Sequence, residues 1–340
     1  MKGPEVARVT YSYVQKMRAA ASHFFVRVYK LGGATEEWSE DPRRPGRWRG
    51  NPCMSQTVVQ YMASLKRRMT RNGAEVISAQ AIDESMLKKL YEQNKNYPIE
   101  DDLITKTRKR KADELDSELG LWAGYKLRTM IQALYIVSFI CLLRYDEALR
   151  IQFNHIELAY DEDEPVVILR LPFRKTHQTG GILPFYLWRN PEKPWLCPVT
   201  AIAKWYALFN HMNYEPRGYV FRSRSGYDQI ASSPTDGLSS AAFMTIFRCN
   251  LFEIGKDPRP FGTHSFRRGG CQYLAMVRRW HIRDVCLWGG WSTRSDNPST
   301  VWKYLSSIVD TPNVQRQDFF NPYRLGTAPC THCRRTCHCA

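Results

Sequence analysis

Several features that define common protein classes are missing from this chain. No apolar run approaches the ~20 residues that a membrane-spanning helix needs. The charged, apolar and small-residue pattern of a secretory signal is also absent, so we expect an intracellular protein with reduced thiols. Neither a Walker loop nor a clustered set of Asp and Glu residues for two-metal chemistry is present. We therefore expect a protein with no membrane partner.

The composition is basic and contains enough apolar residues to build packed domains. The 340 residues include 49 Lys and Arg against 33 Asp and Glu, a net charge of +16, and the pI is near 9.5. Hydrophobic residues make up 43%, and a chain of this length is expected to form two domains. The positive charge favours a polyanionic partner such as nucleic acid, the alternative being a basic protein without one.

The cysteines fall into two groups. Those scattered among apolar segments are expected to be free thiols, which behave as small hydrophobic side chains. The other four, Cys330, Cys333, Cys337 and Cys339, crowd the tail at residues 326–340. Four soft ligands suit zinc, but so short a segment offers little core to support a site. We therefore expect no metal, with zinc on these four thiols as the alternative.

Residues 1–100 carry the pattern of a small helical domain. Apolar periodicity predicts helices over 5–31, 54–72 and 81–94, with a polar, Pro-rich loop over 36–52. Basic groups on such a domain can neutralise the phosphates of a nucleic acid. The candidates are Arg43, Arg44, Arg47, Arg49, Lys66, Arg67 and Arg68.

A charged, core-poor linker follows at residues 101–120. It contains the basic run Lys106-Thr-Arg-Lys-Arg-Lys111. Such a run suits a nuclear-import signal, a contact with phosphates, or both, and the alternative is a solvated linker. Its candidate phosphate-binding side chains are Lys106, Arg108, Lys109, Arg110 and Lys111.

The second domain is expected over residues 121–325. Residues 130–143 are apolar on all sides, which indicates a helix buried in a sizeable core. Short β-rich runs at 165–172 and 182–188 predict a hairpin around a polar tip. Further helices are predicted over 199–209, 239–252, 264–280, 282–287 and 300–309. The expected fold class is α+β and mainly helical, with a small antiparallel sheet.

Within this domain, the segment Gly262-Thr-His-Ser-Phe-Arg-Arg-Gly-Gly270 places His264 and Arg267 three residues apart at the start of a predicted helix. Residues at this spacing share a helix face. A guanidinium can neutralise two oxygens of a phosphodiester, and an imidazole can move a proton near neutral pH. An H-x-x-R pair is common by chance, so its weight depends on the residues that accompany it.

Two further basic residues precede this pair. Arg144 ends the apolar helix, where a charge needs a partner or an anion, and Glu147 at i+3 can hold its guanidinium. The alternative is a local ion pair that reaches solvent. Lys175 lies at the predicted hairpin tip, from which an ammonium could protonate a leaving oxygen. The alternative for Lys175 is a solvated turn residue, and its neighbours Arg174 and His177 could be mistaken for it.

Two aromatic residues follow the pair. Trp291 in Trp288-Gly-Gly-Trp291 can direct an indole N–H at a phosphate oxygen, whereas Trp288 is expected to pack in the core. Tyr304 lies in a predicted helix soon afterwards. A phenol has a pKa of about 10 and needs nearby cations to become a nucleophile. Because most tyrosines are structural, its position relative to the cations decides its role.

The ordered set Arg144, Lys175, His264-x-x-Arg267, Trp291 and Tyr304 resembles the tyrosine recombinase, or phage integrase, superfamily. Leu143-Arg-Tyr-Asp-Glu-Ala-Leu149 is similar to that family's R-x-x-E-x-L box. Lys175-Thr176 resembles its hairpin lysine motif. Thr263-His-Ser-Phe-Arg-Arg-Gly-Gly and Trp288-Gly-Gly-Trp-Ser resemble recombinases of fungal mobile elements, of Crypton-like and basidiomycete types. The resemblance covers roughly residues 10–323 and includes a helical part similar to the family's core-binding domain.

The resemblance implies a DNA-cutting and rejoining enzyme. Tyr304 would attack a phosphodiester, giving a 3′-phosphotyrosine and a free 5′-hydroxyl. Arg144 and Arg267 would stabilise the charged transition state, with His264 as proton acceptor or donor. Lys175 would protonate the leaving oxygen, and Trp291 would position the phosphate. The bond energy stays in the ester, so no cofactor is implied. The implied partners are double-stranded DNA and further copies of the chain, as a dimer or tetramer, in the nucleus.

Other interpretations stay open at this stage. Tyr304 lies thirteen positions after Trp291, a longer interval than in most bacterial relatives, so Tyr304 could act in its own site or in a neighbour's. A domesticated DNA-binding protein without catalysis would keep the same fold. A basic helical protein that binds RNA would explain the charge, but not the ordered set of residues.

Overall fold

The computed structural model describes residues 11–71, 79–97, 122–172, 174, 182–291 and 299–305. The chain divides into two compact units, Met1–Ile77 and Ser78–Ala340. Among the residues described, no helix combines the length and apolar character needed to cross a membrane. The fold class is α+β and mainly helical, with small antiparallel sheets, as the sequence predicts.

Over residues 11–71, the first unit has two α-helices and a short hairpin. Its elements are α1 (Tyr11–Arg27), β1 (Ser39–Glu40), β2 (Trp48–Arg49) and α2 (Gln56–Arg71). The two strands pair antiparallel inside the segment that the sequence predicted as a loop. Trp38 and Trp48 stack beside them, with ring centroids 5.9 Å apart.

A buried asparagine organises the chain between these helices. The Asn51 amide donates to the Ser22 hydroxyl at 2.6 Å and to the Ala34 carbonyl at 3.1 Å. Its oxygen accepts the Cys53 N–H at 3.0 Å. A buried amide with three partners specifies one arrangement of the backbone around it, because each unmade bond would leave a desolvated polar group.

The second unit contains the remaining elements. They are α3 (Glu84–Lys95), α4 (Tyr125–Ile140), α5 (Tyr145–Leu149), β3 (Ile156–Asp161), β4 (Glu164–Leu169), β5 (Phe185–Trp188), α6 (Pro198–His211), α7 (Ser240–Glu253), α8 (Ser265–Gln272), α9 (Ile282–Gly289) and α10 (Ser299–Leu305). Helix α4 is buried on all sides from Met130 to Phe139, as the apolar run at 130–143 predicts, and forms the centre of the core.

A three-stranded antiparallel sheet lies beside the helices, in the order β3-β4-β5. The predicted hairpin corresponds to β4 and β5, in which Leu169 pairs with Phe185 and Val166 with Trp188. Strand β3 was not predicted, because most of its residues are exposed and its apolar residues do not alternate regularly with polar ones.

Helix α3 belongs to the second unit, which corrects the boundary expected at residue 100. Leu87 and Leu90 are fully buried in the core around α4. Asn94, Arg128 and Asn250 join α3, α4 and α7 through buried hydrogen bonds. The apolar face of α3 therefore packs against residues that follow it in the chain, and the division falls between Ile77 and Ser78.

Helix α8 packs unusually close to its neighbours. A Cβ added to Gly269 would lie 1.7 Å from the Ile82 carbonyl oxygen, and one added to Gly270 would lie 1.9 Å from that of Phe139. Only glycine permits this approach. The helix predicted over 264–280 is interrupted, because α8 ends at Gln272 and a π-helical turn continues over Tyr273–Val277. Such turns are frequent near functional sites.

Candidate active site: a carboxylate shared by three arginines

The site begins where α4 ends, at a residue with a left-handed backbone. Leu142 has φ of 50° although its side chain is fully buried. A β-carbon makes this conformation costly, and it persists only where surrounding contacts enforce it. The Leu142 carbonyl accepts a hydrogen bond from Arg267 Nη1 at 2.8 Å and from Arg174 Nη2 at 3.4 Å. The strained turn thus provides a neutral acceptor for two guanidinium groups.

Glu147 on α5 is the carboxylate around which the site is built. Its Oε2 accepts the Arg144 backbone N–H at 3.0 Å, which fixes the side chain against the start of its own helix. Its Oε1 lies 3.7 Å from Arg144 Nη1, and its Oε2 lies 3.4 Å from Arg267 Nη1 and 3.7 Å from Arg174 Nη2. Three guanidinium groups therefore share one carboxylate in the described part of the chain.

Arg267 lies at the bottom of this cluster on α8, with 1% of the residue exposed. Burial lowers its pKa to about 10, and Arg174 and Arg144 act in the same direction against the opposing effects of Tyr304 and Glu147. The group remains charged at neutral pH, but it bears the cost of desolvation. Its Nε has no hydrogen-bond partner among the described residues.

His264 occupies the N-cap position of α8, one residue before the helix begins. Its Nδ1 is 3.1 Å from the Thr263 hydroxyl. Burial lowers the pKa of the imidazole, and Arg144 and Arg267 lower it further, while Asp146 partly opposes them. The ring is therefore neutral at neutral pH, the state in which one nitrogen can accept a proton.

Tyr304 lies over the arginine cluster within the same chain. Its ring stacks on Trp291, with centroids 5.1 Å apart and planes 9° apart. The Arg267 guanidinium carbon is 5.2 Å from the Tyr304 centroid and 4.7 Å from the Trp291 ring. The His264 ring lies 6.3 Å from the Tyr304 ring, centroid to centroid. Trp291 is buried, and its indole N–H has no hydrogen-bond partner within the described ranges.

The nucleophile candidate's helix is held by the helix that carries Arg267. The Gln272 amide at the end of α8 donates to the carbonyls of Tyr304 and Leu305, both at 3.2 Å. Val301 and Leu305 are buried in a small apolar cluster with Leu274 and Val285. These contacts fix the described end of α10 beside the arginine cluster.

The structure thus brings together five of the six predicted catalytic residues with Glu147. These are Arg144, His264, Arg267, Trp291 and Tyr304. Lys175 lies outside the described residues, as do the basic run at 106–111 and the cysteines of the tail. Elsewhere, the described segments contain no group of three metal-ligating side chains.

Trp288 is half-buried and packs edge-on against Phe185. Its indole donates to the Ile140 carbonyl at 2.7 Å, which agrees with the packing role expected for it.

The seven basic residues predicted to bind nucleic acid in the first unit are all exposed. Arg68 lies over the exposed Tyr61 ring, 5.9 Å from its centroid. Arg174 was the residue that sequence reasoning passed over, in favour of its neighbour Lys175. No signal in the sequence separated it from Lys175, and its inward position follows from its contacts with the Leu142 carbonyl and the Phe185 ring.

Comparisons with known proteins give structural similarity but no match by sequence family. No family model matches the chain, and no curated protein matches it either. A XerH site-specific recombinase in a post-cleavage complex with a palindromic difH substrate has a TM-score of 0.40 at 12% identity, over 71% of this chain and 51% of that one. This chain therefore covers about half the length of that protein.

Two further solved structures are similar at the same level. XerH in a pre-cleavage complex with difH has a TM-score of 0.36 and 11% identity, over 74% of this chain and 75% of that one. The Tn1549 transposon integrase in complex with circular intermediate DNA has a TM-score of 0.36 and 12% identity, over 85% and 95%. Similarity this weak does not extend to chemistry, so conclusions about function depend on the side chains.

Proposed function

We propose that this chain cuts and rejoins double-stranded DNA through a covalent 3′-phosphotyrosine intermediate on Tyr304. One observation carries the proposal. The Tyr304 ring packs on Trp291 and over the buried Arg267 of its own chain, with a histidine that is neutral at neutral pH nearby. A phenol, two aromatic neighbours and a cluster of arginines with one carboxylate together suit attack on a phosphodiester.

The reaction follows from the roles of these groups. The Tyr304 oxygen attacks phosphorus, its proton passes to His264, and the bond to the 5′-oxygen breaks. Arg144 and Arg267 stabilise the extra charge on the pentacoordinate phosphorus, since preorganised charge is worth most where charge develops. The Trp291 indole N–H, which lacks a partner in the described ranges, donates to a phosphate oxygen. Lys175 protonates the departing 5′-oxygen in this proposal. Reversal with a new 5′-hydroxyl rejoins the strand.

Attack in cis is part of the proposal. Gln272 and the apolar cluster on α9 and α10 hold Tyr304 against its own chain's arginines. Mixing the Tyr304→Phe and Arg267→Ala chains tests this, because attack in trans would restore cutting from one intact site per pair. We expect no restoration. Recovery of cutting in the mixture would instead assign the tyrosine to a neighbouring subunit.

The wider biological setting also remains a proposal. Exposed arginines of the first unit and the basic run at 106–111 suit phosphate contacts, and the run also suits nuclear import. We propose a dimer or tetramer of this chain on DNA, and an origin in a fungal mobile element of Crypton-like type. The resemblance of the sequence motifs supports that origin.

The test is capture of a protein–DNA adduct. DNA flanking the gene, nicked to trap the intermediate, is incubated with wild-type protein and with Tyr304→Phe. The substitution removes one oxygen and keeps the ring that stacks on Trp291. We expect an adduct with the wild type only, and equal DNA affinity for both.

Tyr186→Phe, on the exposed face of β5, serves as the matched control and should form the adduct normally. An adduct that persists in Tyr304→Phe would reject the nucleophile assignment. DNA binding by the wild type without any adduct would instead favour a DNA-binding protein without catalysis.

A further inference from the structure

Among the described residues of the second unit, four arginines are at most 1% exposed, and they differ in how many of their donors have partners. They are Arg128, Arg174, Arg222 and Arg267, each with 1% of its surface exposed or less. A buried guanidinium needs partners for its donors, because each unmade hydrogen bond leaves a desolvated polar group. The hydrogen bonds of these four therefore show which guanidinium groups the chain satisfies by itself and which have donors left for a ligand.

Two of the four are complete. Arg128 donates from all three nitrogens, including 2.7 and 2.6 Å bonds to the two oxygens of Glu253 and a 2.9 Å bond to the Ala123 carbonyl. Arg222 has no carboxylate. It donates from all three nitrogens to backbone carbonyls, among them Ser232 at 2.6 Å. Both are structural arginines whose donors the folded chain occupies.

Arg174 and Arg267, by contrast, each have a hydrogen-bond donor that is left without a partner. The Nε of each has no hydrogen-bond partner among the described residues. Within the described ranges Arg174 makes one hydrogen bond, of 3.4 Å, to the Leu142 carbonyl, and its 3.7 Å approach to Glu147 is too long for another. Arg174 also lies over the Phe185 ring, at 5.7 Å, which gives it an apolar wall on one side.

The arginine cluster also has fewer negative charges than positive ones. Arg144, Arg174 and Arg267 carry three positive charges, and Glu147 is the one acidic side chain paired with them in the described part of the chain. Burial lowers the pKa of Arg174, with Glu147 opposing that effect and Arg144 adding to it. Buried charges that lack a counterion are strongly unfavourable. An added anion would relieve this imbalance.

We infer that Arg174 is a third guanidinium of an oxyanion site, binding a tetrahedral phosphate oxygen together with Arg144 and Arg267. The ligand class is a phosphate group, which in the proposed reaction is the phosphodiester under attack. The identification of this phosphate as a phosphodiester rests on the proposed function, whereas the binding of a phosphate group by Arg174 does not.

Inorganic phosphate is the probe, and thermal unfolding of the full-length chain is the measurement. Chloride at equal ionic strength separates specific binding from screening. We expect phosphate to raise the midpoint of the second unit saturably in the wild type. Arg174→Met keeps an apolar stem and removes the charge, and should weaken the apparent phosphate affinity by at least ~10-fold, as expected for loss of a hydrogen bond to a charged group.

Two controls isolate the role. Arg170→Met removes an exposed arginine of the same hairpin, which pairs with Glu157, and should leave the phosphate effect unchanged. Arg222→Met removes a buried but fully bonded arginine, and should lower the midpoint while keeping the phosphate-induced rise. An Arg174→Met chain that is less stable yet keeps the wild-type phosphate affinity would overturn the inference, as would a wild type indifferent to phosphate.

A substitution that keeps the charge covers the case in which Arg174→Met does not fold. Arg174→Lys replaces the planar fork with a single point of charge. We expect it to fold and to bind phosphate several-fold more weakly, and unchanged affinity would count against Arg174 as a ligand. The adduct assay separates the two proposals. Phosphate binding that needs Arg174 in a chain that never forms an adduct would leave the anion site standing and reject the recombinase.

Discussion

Replacing Glu147 with Gln removes the carboxylate that Arg144, Arg174 and Arg267 share, while it keeps the size and shape of the side chain. The amide oxygen can still accept the Arg144 backbone N–H, which Oε2 now accepts at 3.0 Å. The cluster would be left with three positive charges and no paired acidic group among the described residues. The change therefore tests the charge balance of the site separately from its packing.

The expected cost follows from burial. Arg174, Arg267 and Glu147 each have a side chain no more than 2% exposed, so water screens their interactions poorly. Removing one partner of a buried ion pair typically costs about 3–5 kcal/mol, because the remaining charge stays desolvated. For a unit of this size, that corresponds to a fall of roughly 6–20 °C in the unfolding midpoint. Calorimetry of the full chain, which reports each unit's transition, provides the measurement.

A second buried pair supplies the control. Glu253→Gln leaves Arg128 without its bidentate carboxylate and should also destabilise the second unit. The Arg128 guanidinium, however, lies between the Tyr97 and Trp122 rings, at 3.5 and 4.5 Å from their centroids. We expect phosphate to restore stability to Glu147→Gln and not to Glu253→Gln. A Glu147→Gln chain within about 1 kcal/mol of the wild type would refute the view that the cluster depends on its carboxylate.

Three other outcomes are expected. Gly270→Ala should cost ~1–3 kcal/mol or more in unfolding experiments, because its Cβ meets the Phe139 carbonyl oxygen, whereas Gly226→Ala meets only the flexible Gln229 side chain. Burial lowers the pKa of the His264 imidazole in the folded chain. Just below pH ~6.5 this imidazole therefore binds a proton in the unfolded chain but not in the folded one. Stability should therefore be complete above that pH and decline as the pH falls toward the folded-state pKa, and His264→Gln should flatten the decline in pH-dependent unfolding. DNA affinity should fall roughly 10³-fold or more between 50 and 200 mM salt in a filter-binding titration, and a flat profile would remove the nucleic-acid partner.

The parts of the fold that follow from local pattern could be predicted from the sequence. The run at 130–143 is apolar on all sides, which predicts the buried helix α4, and the short β-rich runs at β4 and β5 flank a polar tip, which predicts the hairpin. Strand β3 was not predicted, because the burial of its residues depends on the sheet beside it. The membership of α3 in the second unit also depends on what its apolar face meets, which a periodicity does not specify.

The candidate site divides along the same line. Residue type and order identified Arg144, His264, Arg267, Trp291 and Tyr304 as candidates, because each has a chemical reason to be near a phosphate. The inward position of Arg174 depends on its tertiary contacts with the Leu142 carbonyl and the Phe185 ring, which the sequence does not specify. The left-handed turn at Leu142 had no sequence signal, because leucine disfavours that conformation and only the surrounding packing enforces it.

The close contact between α8 and α4 limits which parts of the site can move when a ligand binds. With carbonyl oxygens of Ile82 and Phe139 pressed against Gly269 and Gly270, α8 cannot slide or roll without a steric collision. Arg267 and the Leu142 carbonyl therefore form a rigid half of the site, whose alignment is completed during folding. Tyr304 is held by two hydrogen bonds from Gln272, by ring stacking and by the apolar cluster around Val301 and Leu305, contacts that rearrange more easily than closely packed backbones. We therefore expect any rearrangement on binding DNA to involve Tyr304, while Arg267 and the Leu142 carbonyl keep their positions.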